Sequence, residues 1–239
     1  KGCEVIRITA EDDILTKAGL RKACKAAAYD DVLLVIALDC IGGCAWQHVN
    51  VGKDGGPERI AQHKARFHKM LKAAKCVAKI VDSHGGSIWF ELGNANSYWQ
   101  DPLVLAFCER FSLEGVRIDG CRFGVRGKVE LIKKPWQIRT NNPEVWLALQ
   151  DKLCEGGHAH EICQNSAVTS TTARYPDALA VAVHVAFAKH MQRKRGVGAV
   201  APQPVPAAAG RVGGDSSLSP GGSPAPKDDT PVPRMPRKT

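Results

Sequence analysis

No apolar run in this sequence is longer than VLLVIAL at 32–38. That is far short of the ~20 residues that cross a bilayer, so no membrane partner is expected. No basic-then-apolar leader opens the chain, and no secretory signal is read. No internal repeat is evident, which excludes solenoids and propellers. A disulfide framework is also missing. The nine cysteines are an odd number and are scattered along the chain, from Cys3 to Cys163. That usage points to a reducing, intracellular setting. Acidic residues are the minority, 24 against 33 Lys and Arg, for a formal charge of +9. Eight of those basic residues, with only three Asp, follow Gln192, so the body itself is mildly basic. A nucleic-acid partner is permitted by that balance but not demanded.

The 239 residues suffice for one sizeable core plus an appendage. Residues 1–191 alternate apolar strands with amphipathic helices. VIRIT (5–9) reads as a strand, and 14–28 has helical spacing with Asp12 or Asp13 placed to cap it. VLLVIAL is rich in β-branched residues and reads as a buried strand. A long helix is predicted from about Pro57 to Ser83, with Phe67, Met70, Leu71, Ala74, Val77, Ala78 and Val81 on its apolar face. SIWFEL (87–92), 116–125 and 134–141 read as strands, and 101–111, 143–151 and 175–191 as helices. The order β-α-β-α-β-α-β-β-α-α predicts a mostly parallel α/β sheet ending in an antiparallel hairpin. Residues 192–239 open with the basic run QRKR and continue rich in Pro, Gly, Ala and Ser. Residues 196–239 read as disordered, QRKR is either a phosphate contact or a solvated helix end, and 192–239 together read as a basic tail that could touch nucleic acid.

Four clusters carry chemistry. Cys40 ends one buried strand and Glu91 ends the next, and ligands in open α/β sheets bind beyond such carboxyl ends. Cys40 is either a nucleophile or a small buried hydrophobe, and neighbouring Asp39 opposes thiolate formation. Gly42 and Gly43 permit close backbone approach. A desolvated Glu91 would keep its proton and could donate it to a base. Trp46, Gln47 and Asn50 combine an aromatic face with amides suited to stacking and base contacts, or they shape a loop. Trp99 follows Glu91 with the same ambiguity. The segment CEGGHAHEIC places Cys154, His158, His160 and Cys163 at zinc-like spacing, with Cys121 as a remote ligand.

With these residues in view, the chain resembles the cytosine-5 DNA methyltransferase-like proteins, chiefly the divergent copies of phages and retroelement polyproteins. Asp39-Cys40-Ile41 stands where that group has a Pro-Cys-Thr type motif. Trp46, Gln47 and Asn50 match its Trp-Gln-x-x-Asn run, and Phe90, Glu91 and Trp99 match a Phe-Glu element with a downstream Trp. Asp119, Cys121, Phe123 and Gly124 match an Asp-x-Cys-x-Phe/Tyr-Gly strand. Lys134, Pro135, Trp136, Thr140 and Asn141 match a Lys-Pro-Trp/Thr step with Thr-Asn. Cys154, Gly156, His158, His160, Tyr175 and Pro176 match a Cys-x-Gly-x-His-x-His segment before a Tyr-Pro helix.

The resemblance implies a partial Rossmann-like, class I methyltransferase-like sheet over residues 1–191, lacking the first strands. It gives Cys40 the role of adding to ring carbon 6 of a flipped cytosine, and Glu91 that of holding ring nitrogen 3. Asp12 or Asp13 would contact S-adenosylmethionine. Nothing before residue 40 reads Phe-x-Gly-x-Gly, Asp39 replaces the proline, and Leu92-Gly93 follow Glu91. The expectation is therefore a truncated copy in a retroelement polyprotein, inactive alone, that binds nucleic acid or a partner. S-adenosylmethionine is expected only if upstream strands complete the fold, which would give an active enzyme. The remaining alternative is a zinc-stabilised structural module.

Overall fold

The computed structural model describes residues 3–163, 172 and 174–197 of the chain. The expected disorder of the tail falls mainly on 198–239, outside the described residues. Four strands form one sheet: β1 (Leu33–Ala37), β2 (Ser87–Gly93), β3 (Glu114–Asp119) and β4 (Pro135–Thr140). The helices are α1 (Lys17–Ala27), α2 (Gln47–Asn50), α3 (Gly56–Ser83), α4 (Pro102–Arg110), α5 (Pro143–Leu149) and α6 (Asp177–Val197).

The spatial order is β1-β2-β4-β3. β1 and β2 pair in parallel across the α3 crossover, with Leu33 opposite Ser87 and Ala37 opposite Glu91. β4 pairs antiparallel with β2 on one edge and with β3 on the other. The expected terminal hairpin is present, but the sheet is mixed rather than mostly parallel. The reason is insertion: β4 returns between β2 and β3 and removes the parallel pairing those two would have made. The strand expected at 5–9 is also absent. Residues 5–7 are exposed there, and only Ile8 leans on the core. An apolar alternation without a neighbouring strand leaves its backbone groups unpaired. Thr16, not Asp12 or Asp13, caps α1, its hydroxyl accepting from the Gly19 N–H at 3.0 Å.

Period-two alternation along β2 divides the interior. Ile88, Phe90 and Leu92 face a core shared with α1, α3 and α4, while Trp89 joins Val116, Ile118 and Ile138 beneath α5 and α6. β2 is accordingly the best buried strand, flanked on both edges and covered on both faces. Its amino end is stitched to the exit of β4 by three consecutive polar residues. Thr140 Oγ1 donates to Ile88 O at 2.7 Å, and Asn141 Oδ1 accepts from Ile88 N at 2.7 Å. Asn142, fully buried, donates to Ser87 Oγ at 2.9 Å and caps α5 by accepting from Val145 N at 3.0 Å.

The basic run at 192–195 lies in the exposed last turns of α6, the helix-end reading of that cluster, so the tail begins after it. Arg193 and Lys189 pair with buried Glu144, Lys194 donates to Gly85 O, and Arg195 pairs with Asp31. Its charges are turned back on the body. All nine cysteines are free thiols. No helix among the described residues is long and apolar enough to cross a membrane.

Asn142→Ala is expected to cost about 2–3 kcal/mol, the loss of a cap plus a buried Ser87 hydroxyl left without its donor. Urea unfolding should show a lower midpoint with an unchanged slope. An unshifted midpoint would mean that the stitch contributes nothing.

Candidate metal centre and carboxyl-end rim

β3 ends at Asp119 because Gly120 opens a tight turn that closes on Gly124, whose φ of +78° favours glycine. That turn buries Cys121. The segment after α5 then crosses the end of β3: Asp119 N–H donates to Lys152 O at 2.9 Å, and its carboxylate accepts the Cys154 N–H at 2.9 Å. Gly156 and Gly157, with φ of +84° and +77°, fold the segment back on itself. The result brings one donor atom each from Cys121, Cys154, His158 and His160 to within 4.8 Å of one another.

Cys154 Sγ lies 3.6 Å from His158 Nε2 and 3.5 Å from His160 Nε2. A tetrahedral ion with sulfur at ~2.3 Å and nitrogen at ~2.0–2.1 Å separates such ligands by about 3.5 Å. The group could hold a metal ion. Supporting contacts are in place. Gly156 N–H points at Cys154 Sγ at 3.4 Å, and the His160 backbone bridges Leu131. Burial first, then the adjoining Cys154 thiol, push Cys121 up to about 11. A thiol held that high stays protonated at neutral pH unless a cation displaces the proton. Cys163 does not join the group. Its sulfur lies 3.8 Å from the Thr172 hydroxyl, so Cys121 supplies the fourth donor.

The second centre lies at the carboxyl ends of β1 and β2. Glu91 shares a face of β2 with Trp89, and its Oε2 accepts the Tyr175 O–H at 2.7 Å. Burial raises the Glu91 carboxyl above its ordinary value, against the opposing pull of Tyr175 and Lys134. The Cys40 thiol is also raised, by burial first and then by Glu91. Asp39 and Cys44 add to that, while the Gly93 N–H opposes it. The Glu91 charge thus disfavours the Cys40 thiolate, and the sulfur is a protonated thiol at neutral pH. Asn96 fixes the loop by donating to Cys40 O at 2.9 Å.

Lys134 and Tyr175 are members of this rim that spacing in the sequence did not single out. The Tyr175 ring packs edgewise on Trp89 and Trp136, and burial followed by Glu91 raises its phenol well above the ordinary value. Lys134 takes a φ of +34°, rare for a residue with a side chain. Its ammonium sits 5.2 Å from the Trp136 ring and donates to Thr172 O. Burial lowers its pKa, while Glu91, Cys163 and Cys40 raise it. The Lys-Pro-Trp and Tyr-Pro steps were visible, but no local pattern links residue 175 to residue 91.

The other candidates are placed as follows. Gly42 and Gly43 are buried, and a Cβ on Gly43 would meet Asn96 Oδ1 at 2.1 Å. The close approach they allow is to the protein itself. Gln47 donates to Ile41 O at 2.8 Å and accepts from Asn50 at 3.1 Å, so both amides brace their own loop. Trp46 beside them is 55% exposed and its ring is available. Trp99 is buried against Phe90, and its indole N–H donates to Gly93 O at 3.0 Å. Asp12 pairs with Lys22 at 2.7 Å, and Asp13 accepts the Leu15 N–H at 3.1 Å.

Comparison with known proteins finds no matching family model, no similar curated protein and no similar solved structure.

The raised Glu91 carboxyl has a consequence for stability. Above the ordinary value of 4.5, the folded chain keeps a proton that the unfolded chain releases. Stability therefore falls as pH rises through that window, by at most about 1.4 kcal/mol per pH unit. Glu91→Gln cannot ionise, and its carbonyl still accepts from Tyr175. The variant is expected to match the parent near pH 4 and to be the more stable of the two at pH 8. Superimposable melting profiles would show that Glu91 is not desolvated.

Proposed function

We propose that this chain is a degenerate cytosine-5 methyltransferase-like module of the retroelement type, inactive by itself, that binds nucleic acid or a partner, nucleic acid being the favoured reading. The observation that carries the reading is that Cys40 and Glu91 come from the carboxyl ends of parallel neighbouring strands joined by a crossover that includes a 28-residue helix. In that reading the sheet is the partial, class I methyltransferase-like remnant. A thiol and a carboxyl at the carboxyl ends of neighbouring strands are the two groups that base addition requires. Glu91, its carboxyl raised above the ordinary value by burial, would hold the ring nitrogen of a flipped base. Cys40 would face ring carbon 6, and exposed Trp46 would stack on a neighbouring base. The parent would be a retroelement polyprotein of a reducing compartment.

The residues present do not fit S-adenosylmethionine. Asp12 and Asp13 are spent on Lys22 and on the turn before α1. Among the described residues no glycine turn follows a strand before β1. Cys40 as a protonated thiol beside Asp39 and Glu91 also supports an inactive chain. Titration calorimetry is expected to show no S-adenosylmethionine binding. A dissociation constant below ~100 μM, about −5.5 kcal/mol, would overturn this.

A bound oligonucleotide is expected to slow alkylation of Cys40 by iodoacetamide at least several-fold while leaving exposed Cys3 unchanged. Mass spectrometry of the two peptides reads the outcome. Equal rates at Cys40 with and without bound oligonucleotide would remove the rim from the binding site.

The donor set of the metal group supports zinc: two thiols and two imidazoles make a closed tetrahedral site of structural type. Zinc there would supply a cross-link between the end of β3 and the 154–160 segment, which has little apolar pattern of its own. Should Cys40 stay unprotected, the zinc-stabilised structural module becomes the better reading. One zinc per chain is expected by elemental analysis of protein purified without a histidine tag. Zinc-finger peptides gain ~10–16 kcal/mol from their ion, so a chelator should lower the melting temperature clearly. Metal-free protein with unchanged melting would refute the site.

A further inference from the structure

We propose that the outer face of α1 and α3 is a docking surface for the phosphate backbone of a nucleic-acid duplex. The proposal takes the nucleic-acid partner from the reading above and gives it a place away from the Cys40 rim. The two helices pack side by side on one face of the sheet. α1 contains no acidic residue, and α3 only Glu58 and Asp82. Asp82 is already paired with Arg110 of α4. Arg21 and Lys25 on α1, and Arg66, Lys69, Lys72 and Lys79 on α3, are exposed. None of the six makes an ion pair among the described residues.

The placement is ordered along the helix. Lys69, Lys72, Cys76 and Lys79 follow three-four-three spacing and form one stripe on the solvent side. From Arg66 to Lys79 the stripe runs about 20 Å at 1.5 Å per residue. A duplex presents about a dozen charges over that length. Like charges three and four residues apart oppose helix formation, where Glu at such positions would support it. α3 tolerates this because Phe67, Leu71, Ala74, Ala78 and Val81 anchor its other side in the core. The stripe repels itself until a polyanion lies across it.

The chemistry favours nucleic acid over a membrane surface. A helix that lies in a bilayer interface presents a large apolar face to the lipid. The apolar face of α3 is already buried against the sheet, and the stripe between its cations offers only small or polar side chains such as Ala65, Cys76 and Ser83. The basic end of α6 is a poorer candidate, since Arg193, Lys194 and Arg195 are bonded to the body.

The test uses the full chain and a labelled 20-base-pair DNA duplex followed by fluorescence anisotropy between 50 and 200 mM salt. The combined Lys69→Gln, Lys72→Gln, Lys79→Gln variant is expected to bind at least ten-fold more weakly at 100 mM salt. Its log–log salt slope should be shallower by about 2–3, near 0.9 per lost phosphate contact. The matching Lys→Arg variant should retain both. Cys76, at the centre of the stripe, should be shielded from iodoacetamide by the bound duplex. That footprint separates this surface from the Cys40 rim, whose protection is scored on its own peptide. Melting of the Gln variant at or above the parent temperature shows that the loss is not misfolding. An unchanged slope in the Gln variant, or a slope abolished instead by deleting residues 201–239, would overturn the proposal. So would a Gln variant that loses anionic-vesicle binding while keeping its grip on the duplex.

Discussion

β2 is the constraint from which the rest of this structure follows. It is flanked on both edges and buried on both faces, so its register cannot slip by one residue without exchanging Ile88, Phe90 and Leu92 for Trp89 and Glu91. The Thr140-Asn141-Asn142 stitch fixes its amino end. Once that end is set, Glu91 falls where the strand leaves the cover of the core. Its carboxyl is then desolvated and still within reach of groups from three other parts of the chain.

Both candidate centres arise at the ends of strands, but their designs differ. The Cys/His group is local in origin: Cys154, His158 and His160 are near in sequence, and two left-handed glycines fold them together. Only Cys121 comes from afar, delivered by the turn that ends β3. The rim is the opposite case. Cys40, Glu91, Lys134 and Tyr175 are separated by tens of residues and meet only through the sheet and the start of α6. The strained backbone of Lys134 sits at this meeting point, where such conformations persist because the surroundings determine them.

Much of the fold was legible in the sequence. The α3 stripe, the apolar run of β1, the alternation of β2 and the proline starts of α3, α4 and α5 place those elements within a few residues of where they lie. Pairing was less legible. The hairpin strand β4 was expected beyond β3, and it inserted beside β2 instead, because antiparallel partners need no long crossover. The 5–9 segment has strand-like residues but no neighbour, and composition cannot report the absence of a neighbour. Thr16 took the cap from Asp12 and Asp13 because those two turned to Lys22 and Leu15.

The sequence by itself determined the α/β class, the helix faces, the free-thiol chemistry and the Cys-His segment with its metal-ligand spacing. The helix faces and the Cys-His spacing depend on residues within one or two turns of each other, and the class and the thiol chemistry on composition and element order along the chain. Tertiary structure alone decided that Cys121 rather than Cys163 completes the donor set, and that Trp99 is core while Trp46 is open to solvent. It also bonded the exposed QRKR cations to the body, left Lys69, Lys72 and Lys79 of α3 facing out, and put Tyr175 on Glu91. Those outcomes depend on which surfaces compete for the same space. The competition is between segments far apart in the chain, and no local pattern encodes it.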